Sequence, residues 1–271
     1  MIKNILKLAN AIRKLNNNLE RNEMISVCMA VYNGERYIGK QLASILNQLD
    51  IDDEIILVND FSTDSSLEII NQFLDSRIKV FSNSSNLGVI KSFERSILIA
   101  RGEYIFLSDQ DDIWMKDKVK TIVEFFKKSD SLAVVSDATV IDINEKVISE
   151  SFFKFKNSGP GLIRNLFRNG FLGCCLSFRS EAVSFITPFP KGIQMHDEWI
   201  GLTCSLAGTV SFLDKPLIQY RRHDGNLTEM KPGSLIFMVR KRLTYILCLI
   251  HRFGKIRQYR FTRQMSGNNI S

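Results

Sequence analysis

The chain has 271 residues, of which 45% are hydrophobic and 24% are charged, and its formal net charge is +7. This composition excludes a disordered or fibrous chain, and the length is sufficient for one large domain with appendages. No apolar run approaches the ~20 residues that cross a bilayer, and the N-terminus lacks a hydrophobic signal core and a cleavage site. We therefore expect a cytoplasmic protein.

Strands and helices alternate through the first half of the chain. In chain order, hydrophobic periodicity predicts a buried strand, a helix, a buried strand, a helix, a strand, a helix and a buried strand, at Met24–Tyr32, Glu35–Gln48, Glu54–Val58, Leu67–Leu74, Ile78–Phe81, 89–100 and Tyr104–Leu107. Such alternation predicts a largely parallel sheet covered on both faces. Ligands of such sheets bind beyond the carboxyl ends of the strands, where this chain places Asn33, Asp60 and the acidic run 109–112.

The second half of the chain is less regular. Four strands are predicted at Leu132–Ser136, Cys174–Phe178, Thr209–Leu213 and Leu217–Tyr220. A helix is predicted over Asp197–Ala207. The segment Phe152–Asn169 is rich in Lys, Gly and aromatic residues and has little periodicity, so it is a candidate mobile loop over a site.

The basic residues are concentrated at the two ends of the chain. Residues 233–271 hold eight Lys and Arg and no acidic residue, residues 1–23 have a charge balance of +3, and residues 24–232 have a balance of −4. A nucleic-acid-binding protein carries its basic patch on the fold itself, so we expect no nucleic-acid partner. The five cysteines include no CxxC pair and no His at metal-ligand spacing, so we expect neither disulfides nor zinc.

Three carboxylates fall within four residues in the run SDQDD at 108–112, directly after a predicted buried strand. At the strand period of two, Asp109 and Asp111 would point to the same side, ~7 Å apart. Three such anions raise one another's pKa unless a cation lies between them, and oxygen-only ligands suit Mg²⁺ or Mn²⁺. The alternative is a solvated turn whose aspartates cap a helix beginning near Lys116.

Two further polar clusters follow later in the chain. The first is His196-Asp197-Glu198-Trp199, which is also compatible with a helix start that has Asp197 as N-cap and Glu198 in the first turn. The second is Arg221-Arg222-His223, whose imidazole and guanidinium groups could bind a diphosphate. The alternative for His223 is a surface or packing residue.

In their order, these motifs resemble the family 2 glycosyltransferases, enzymes of the GT-A fold that transfer a sugar from a nucleotide donor with inversion. The matching segments are SVCMAVYNGERYIGKQLASIL, EIILVNDFSTDSSLEII, NSSNLGVIKSFERSILIARGEYIFLSDQDD (which ends in the DxD signature), GCCLSF, HDEW and YRRHDGN. Asn59 and Phe61 stand where Asp and Gly are commoner. The resemblance implies an α/β GT-A domain with a mainly parallel sheet at 24–230, between basic helical ends at 1–23 and 231–271.

On the nucleotide side, the resemblance implies roles for five residues. Tyr32 and Asn33 would lie near the base, and Asp60 would accept a hydrogen bond from the base imide N–H. Lys91 would approach the diphosphate. Asp109 would face the ribose or the metal.

The resemblance also implies a Mn²⁺ or Mg²⁺ cofactor. Asp111 would be the main metal ligand, supported by Asp112. His223 would contact the metal or the leaving diphosphate, with Arg221 or Arg222 nearby.

On the acceptor side, the resemblance assigns Asp197 as the general base, with Glu198 as the next candidate. An inverting displacement needs such a carboxylate because the attacking acceptor hydroxyl must lose its proton. The leaving diphosphate gains charge that a divalent cation and His or Arg donors can stabilise. The sequence thus predicts two acidic centres, the run 109–112 that would hold the metal and Asp197 that would act without one.

Apolar residues near the C-terminus form one helical stripe, made of Ile236, Val239, Leu243, Ile246, Leu247, Ile250 and Phe253. Lys241, Arg252 and Lys255 lie on the opposite side. A basic amphipathic helix is typical of a membrane-surface segment, and a weaker stripe runs through residues 5–19. The alternative is that the C-terminal stripe packs on the catalytic domain.

Many relatives extend polyprenyl-diphosphate-linked sugars at the inner face of the bacterial plasma membrane, which implies a lipid-linked saccharide acceptor in O-antigen or capsule synthesis. The segments SDQDDIW and HDEW are most similar to those of rhamnosyltransferases, so dTDP-rhamnose is the leading donor, followed by UDP-glucose or UDP-galactose. One alternative is a catalytically silent, membrane-peripheral nucleotide-sugar-binding or scaffolding protein. A dinucleotide-dependent oxidoreductase is disfavoured because no GxGxxG follows the first strand.

Overall fold

A mixed sheet of nine strands forms the centre of the computed structural model, which describes residues 23–223 and 235–268. The predicted N-terminal helical extension lies outside the described residues except for its last residue. The last three residues of the YRRHDGN segment lie outside them too.

The first half of the sheet is parallel, as predicted. The strands β1 to β4 pair side by side in the order β3-β2-β1-β4, and they span Ile25–Val31, Glu54–Asn59, Ile78–Ser82 and Tyr104–Ser108. The helices α1 to α3 connect them at Ile38–Leu46, Ser66–Asn71 and Val89–Ile99. Because β1, β2 and β4 are almost wholly buried, their sequences are apolar runs rather than alternating patterns.

The second half of the sheet is mixed. Its strands β5 to β9 span Ile113–Trp114, Ser131–Ile141, Val147–Ser149, Leu176–Arg179 and Thr209–Arg221. Strand β8 runs antiparallel to both β4 and β6. Strand β6 is parallel to β9, which in turn pairs antiparallel with β5. Strand β7 pairs antiparallel with β6. The two strands predicted at 209–220 form one strand. A register shift beside Pro216 accommodates the proline, which has no N–H to donate.

The second half of the chain also contains five α-helices between β5 and β9. These are α4 to α8, at Lys118–Lys128, Phe152–Lys156, Leu162–Phe167, Val183–Ile186 and His196–Ala207. The segment 152–169, expected to be a loop, contains the short helices α5 and α6. The buried Asn165 fixes their connection, because its amide donates to the carbonyls of Gly159 and Gly161 at 2.8 and 2.9 Å.

The C-terminal helix α9, Leu235–Asn268, packs on the domain with its basic side. Tyr245, Leu249 and Ile256 are buried against the domain, whereas the predicted apolar stripe faces outward, with Leu247 and Ile250 each 65% exposed. The alternative in which this stripe packs on the domain is therefore wrong. Within the described residues, no helix combines the length and apolarity that a membrane crossing requires.

Candidate active site

A cavity of about 380 Å³ opens where β1, β2 and β4 end. Its lining includes five of the residues singled out from the sequence, namely Tyr32, Asp60, Asp109, Asp111 and Asp197. This is the edge of a parallel sheet at which ligands are expected. The structure thus brings the acidic run and the HDEW segment, which lie about 85 residues apart in sequence, to one cavity.

The acidic run forms a turn between β4 and β5 instead of continuing the strand. Asp109 therefore approaches Asp112, and the ligand atoms of these two carboxylates and of the Cys174 thiol lie within 4.8 Å of one another. The ~7 Å strand spacing expected for Asp109 and Asp111 does not apply. The aspartates also do not cap the next helix, because α4 begins at Lys118 after Asp117.

The turn brings three carboxylates together, of which Asp112 is buried and Asp109 and Asp111 are partly buried. Burial, followed by repulsion from Asp112, Asp111 and Asp197, raises the pKa of Asp109 well above its usual value. Burial and the nearby Asp111 likewise raise the pKa of Asp112. One oxygen of Asp112 accepts from the backbone N–H of Arg221 at 2.9 Å. Its other oxygen, Oδ2, is buried and has no hydrogen-bond partner among the described residues.

These features fit a divalent cation. A cation would relieve the repulsion in the turn and satisfy the orphaned oxygen of Asp112. The carboxylates of Asp109, Asp111 and Asp112 supply the oxygen donors that Mg²⁺ and Mn²⁺ prefer. Burial raises the pKa of the Cys174 thiol well above its usual value, so the thiol stays protonated and is a poor ligand for a hard cation.

The RRH segment supports the acidic turn from β9. Arg221 is 2% exposed, and its Nε donates to the Asp111 carbonyl at 2.9 Å while its Nη2 pairs with Glu145 at 3.1 Å. Arg222 donates to the Tyr220 hydroxyl at 3.3 Å. Arg221 binds the backbone of the turn, and neither arginine side chain lines the cavity, so their expected approach to a diphosphate stays a prediction.

His223 lies at the edge of the cavity through its contact with Asp111. Its Nε2 is 2.8 Å from Asp111 Oδ2, and its ring stacks on Tyr37 with the centroids 5.4 Å apart. Asp111 and His223 thus contact each other, and Asp112 lies beside Asp109.

On the nucleotide side, Asp60 holds the loop that covers the cavity. Its two oxygens accept from Asn83 Nδ2 and the backbone N–H groups of Leu87 and Gly88 at 2.7–2.8 Å. Both oxygens of Asp60, which was expected to bind the nucleotide base, therefore accept hydrogen bonds from neighbouring residues of the protein. Lys91, expected near the diphosphate, pairs with Glu94 at 2.5 Å and does not line the cavity.

Tyr32 presents its half-exposed ring beside the cavity because its backbone is fixed from two sides. Gln110 brackets the Tyr32 peptide, accepting from its N–H at 2.9 Å and donating to its carbonyl at 3.0 Å. Asn33, expected at the base, accepts from Thr63 N–H at 2.9 Å and so ties the two strand-end loops together. A Cβ at Gly34 would lie 2.5 Å from the Gln110 amide oxygen, so a larger residue there would displace the amide that brackets Tyr32.

Phe61 has a left-handed backbone conformation, with φ +66°, at the position where the family more often has Gly. This conformation costs a residue with a side chain about 1 kcal/mol, and the ring is half exposed. We therefore expect Phe61→Gly to raise Tm by about 2–4 °C in thermal denaturation. Phe61→Ala is the matched control, because it removes the ring and keeps the strain. Equal stabilisation by both substitutions would contradict the strain interpretation.

Asp197 lies in the first turn of α8 and is 4% exposed. The N-cap is Met195, so the alternative that made Asp197 the N-cap is wrong. Its Oδ1 accepts from the Glu198 N–H at 2.7 Å. Burial raises the pKa of Asp197 to about 7, with a further increase from Glu198 and a decrease from Lys241. A cavity-lining carboxylate that titrates near neutrality has the properties of a general base.

Glu198, the second catalytic candidate, points to α9 and not to the cavity. Its side chain is fully buried, and its carboxylate pairs with Lys241 and Arg242 of α9, each at 2.6 Å. It does not line the cavity.

His196 lines the cavity, and the sequence named it only as part of the HDEW cluster, without a role. Its ring is 3% exposed and stacks on Phe93 with the centroids 4.0 Å apart. Burial lowers the pKa of His196 to about 3, so the ring is neutral. Neither ring nitrogen has a hydrogen-bond partner among the described residues. The sequence signal for this residue was its position directly before the acid in HDEW.

Comparison with known proteins identifies several similar chains. An uncharacterized glycosyltransferase of Nostoc sp. is 30% identical over 213 residues, which cover 74% of this chain and 66% of that protein. The dTDP-rhamnosyl transferase RfbG of Shigella flexneri is 28% identical over 221 residues, which cover 73% of this chain and 72% of that protein. The chain thus spans about two thirds of the length of the first of these relatives.

Among solved structures, S. aureus TarS 1-349 in complex with UDP-GlcNAc has a TM-score of 0.64 at 20% identity. The match covers 87% of this chain and 71% of that chain, and it shows a shared GT-A-like α/β fold. The family model described as Glycosyl transferase family 2 matches residues 26–185, more than half of the chain. Together with the fold and the cavity at its strand ends, this match shows that the chain belongs to glycosyl transferase family 2.

Proposed function

We propose that the protein is an inverting, metal-dependent glycosyltransferase that moves a sugar from a nucleotide donor to a hydroxyl of a lipid-linked saccharide. The observation that carries the proposal is that Asp197, whose pKa is raised to about 7, shares one cavity with the carboxylates of the acidic turn. Family membership supports a transferase that acts on nucleotide sugars in bacterial polysaccharide synthesis.

In the proposed reaction, the acceptor hydroxyl attacks the anomeric carbon from the face opposite the leaving nucleoside diphosphate. Asp197 takes the hydroxyl proton as the bond forms. Asp109, Asp111 and Asp112 would hold a Mn²⁺ or Mg²⁺ ion, which when bound stabilises the negative charge that grows on the diphosphate.

We favour dTDP-rhamnose as the donor, with UDP-glucose or UDP-galactose next. Support for dTDP-rhamnose comes from the name of the Shigella relative, which matches over 73% of this chain. Support for a UDP-sugar comes from a glucosyltransferase of Escherichia coli named for UDP-Glc, which is 34% identical over 105 residues. The name of the Escherichia coli relative also includes a GlcNAc-diphosphoundecaprenol acceptor, which supports a lipid-linked saccharide as the acceptor. We propose O-antigen or capsule synthesis as the setting of this transfer.

The donor class can be tested by thermal denaturation with UDP, dTDP, GDP and NAD, each with and without Mn²⁺. A ligand at 100 times its Kd adds about 2.7 kcal/mol of stability. We expect a Mn²⁺-dependent rise in Tm with dTDP or UDP and none with NAD. If no nucleotide shifts Tm, the chain is not a nucleotide-sugar enzyme, and the silent scaffold is the better interpretation.

We further propose that α9 docks on the inner face of the plasma membrane, where a lipid-linked acceptor would lie. The support is that its exposed outer face carries the apolar stripe defined above, including Leu243, Leu247, Ile250 and Phe253. A soluble surface rarely leaves such a contiguous apolar face uncovered. Arg240 and Arg260, which are exposed on the same helix, would add attraction to anionic lipid.

Replacing Leu247 and Ile250 with Asp should reduce co-sedimentation with anionic vesicles at least about tenfold, because each buried apolar side chain contributes about 1.5–3 kcal/mol. Both sites are exposed, so the fold should be unaffected. The matched control, Leu247→Met with Ile250→Leu, keeps the stripe apolar and should bind as wild type. Undiminished sedimentation of the Asp variant would remove the membrane proposal.

A further inference from the structure

The start of α8, which carries the proposed base, is held by α9. The hydroxyl of Tyr245, itself fully buried, donates to the Met195 carbonyl at 3.1 Å. It also accepts from the backbone N–H groups of Gln194 and Met195 at 3.2 and 3.1 Å. One side chain of the C-terminal helix therefore fixes the peptides that lead into the first turn of α8.

The residue after the base is held by the same helix. The fully buried carboxylate of Glu198 pairs with Lys241 and Arg242, each at 2.6 Å. Arg242 also donates to the Phe167 carbonyl at 2.6 Å. A buried carboxylate is stable only with charged or hydrogen-bonding partners. The conformation of the Asp197–Glu198 peptide is therefore tied to the position of α9.

Arg252, about two helical turns after Tyr245 on α9, makes a third contact with the domain. Its guanidinium donates to the carbonyls of Phe185 and Thr187 at 3.1 and 2.6 Å. It also lies over the ring of Trp199, 5.5 Å from its centroid. The inner face of α9 thus contacts residues on both sides of Asp197.

We propose that Lys241, Arg242 and Tyr245 are positioning residues for Asp197, so that α9 is part of the catalytic apparatus as well as a membrane-facing helix. This inference rests on the proposed role of Asp197 as the base. Because the inner face of α9 holds the base and its outer face is the apolar stripe, the helix fixes the orientation of the base relative to the surface on which it docks.

The charges around Asp197 give the proposal a signature that loss of packing would not produce. Asp109 faces Asp197 from the acidic turn, Glu198 neighbours it on α8, and Lys241 faces it from α9. Of these, only the Lys241 charge favours the ionised base. Removing that charge should therefore move the rising limb of the pH–rate profile to higher pH.

The test uses the full chain in detergent, so that vesicle binding does not enter, and measures release of nucleoside diphosphate from the donor in the presence of lipid-linked saccharide. We expect Lys241→Gln with Arg242→Gln to lower kcat at least about tenfold, because a small displacement of a catalytic group has large effects. Its pH profile should shift upward, while the Mn²⁺-dependent nucleotide shift in Tm stays as in wild type. Lys241→Arg should restore both kcat and the profile.

The matched control is Lys255→Gln with Arg257→Gln, which removes two charges from exposed positions of the same helix and should leave kcat unchanged. Tyr245→Phe gives a second measurement that keeps the ring, and it should lower kcat without changing nucleotide binding. Wild-type kcat and pH profile in these variants, or equal loss in the control, would overturn the inference. If Asp197→Asn is itself active, the assignment of Asp197 as the base is wrong. If Asp197→Asn is inactive but the α9 variants behave as wild type, only the positioning inference is wrong.

Discussion

Replacing Asp197 with Asn should lower sugar transfer by about 10²–10⁴-fold, the usual contribution of a general base. Asn keeps the size of the side chain and the hydrogen bond accepted from the Glu198 N–H, so the fold and the binding of nucleotide should be unchanged. The measurement is transfer by the purified variant beside its nucleotide-induced shift in Tm. Near wild-type transfer would show that another group removes the proton.

The pH dependence of the same residue has a defined sign. Because burial raises the pKa of Asp197 to about 7, transfer by the wild-type protein should rise between about pH 6 and pH 8 and then level off. Because the folded protein favours the protonated carboxyl, the stability that this group contributes is fully present below the ordinary pKa of an aspartate and is lost as pH rises to about 7. Asp197→Asn should consequently have a higher Tm than wild type at high pH and not at acidic pH. An equal difference in Tm at all pH values would contradict a raised pKa.

Replacing Asp112 with Asn should remove the response of the protein to Mn²⁺. Without metal, the variant should be more stable than wild type, because burial followed by repulsion raises the pKa of Asp112 and Asp109 in the acidic turn, and the substitution removes one ionisable carboxyl. The hydrogen bond from the Arg221 N–H can be kept by the amide oxygen. With Mn²⁺ and nucleotide, only the wild type should gain stability, and transfer by the variant should fall to the level seen in EDTA.

The control for this experiment is Asp117→Asn. Asp117 lies nearby in the chain but precedes α4, and its left-handed conformation suits Asn. This variant should respond to Mn²⁺ as wild type does. A Mn²⁺ effect that survives in Asp112→Asn, or no effect in the wild type, would show that these carboxylates do not hold the metal.

The parallel half of the fold was predictable because its information is local. Apolar runs such as Glu54–Asn59 are buried on both faces, and polar residues begin where each strand ends. The convergence of Asp60, Asp109 and Asp197 on one cavity followed from strand order and family resemblance. The acidic turn was not predictable in its geometry, because the pairing of Asp109 with Asp112 depends on a reversal of the chain that strand periodicity does not encode.

Other features depended on partners far away in sequence. Glu198 resembled a catalytic acid in the sequence, but its partners Lys241 and Arg242 lie more than 40 residues later on α9. Arg221 resembled a phosphate ligand, but its backbone and side chain are used on the acidic turn and Glu145. The outward direction of the apolar stripe on α9 was also hidden, since helical periodicity shows that a stripe exists but not which face it takes.

The most direct test of the proposed activity is the product formed from a nucleotide sugar. Wild-type protein and Asp197→Asn would be incubated with Mn²⁺, lipid-linked saccharide and either dTDP-rhamnose, UDP-glucose or UDP-galactose, and the new linkage would be analysed by NMR. We expect the wild type to form one glycosidic bond per nucleoside diphosphate released, with the anomeric configuration opposite to that of the donor, and the variant to form almost none. Retained configuration, or turnover that is equal in the two proteins, would contradict an inverting transfer in which Asp197 is the base.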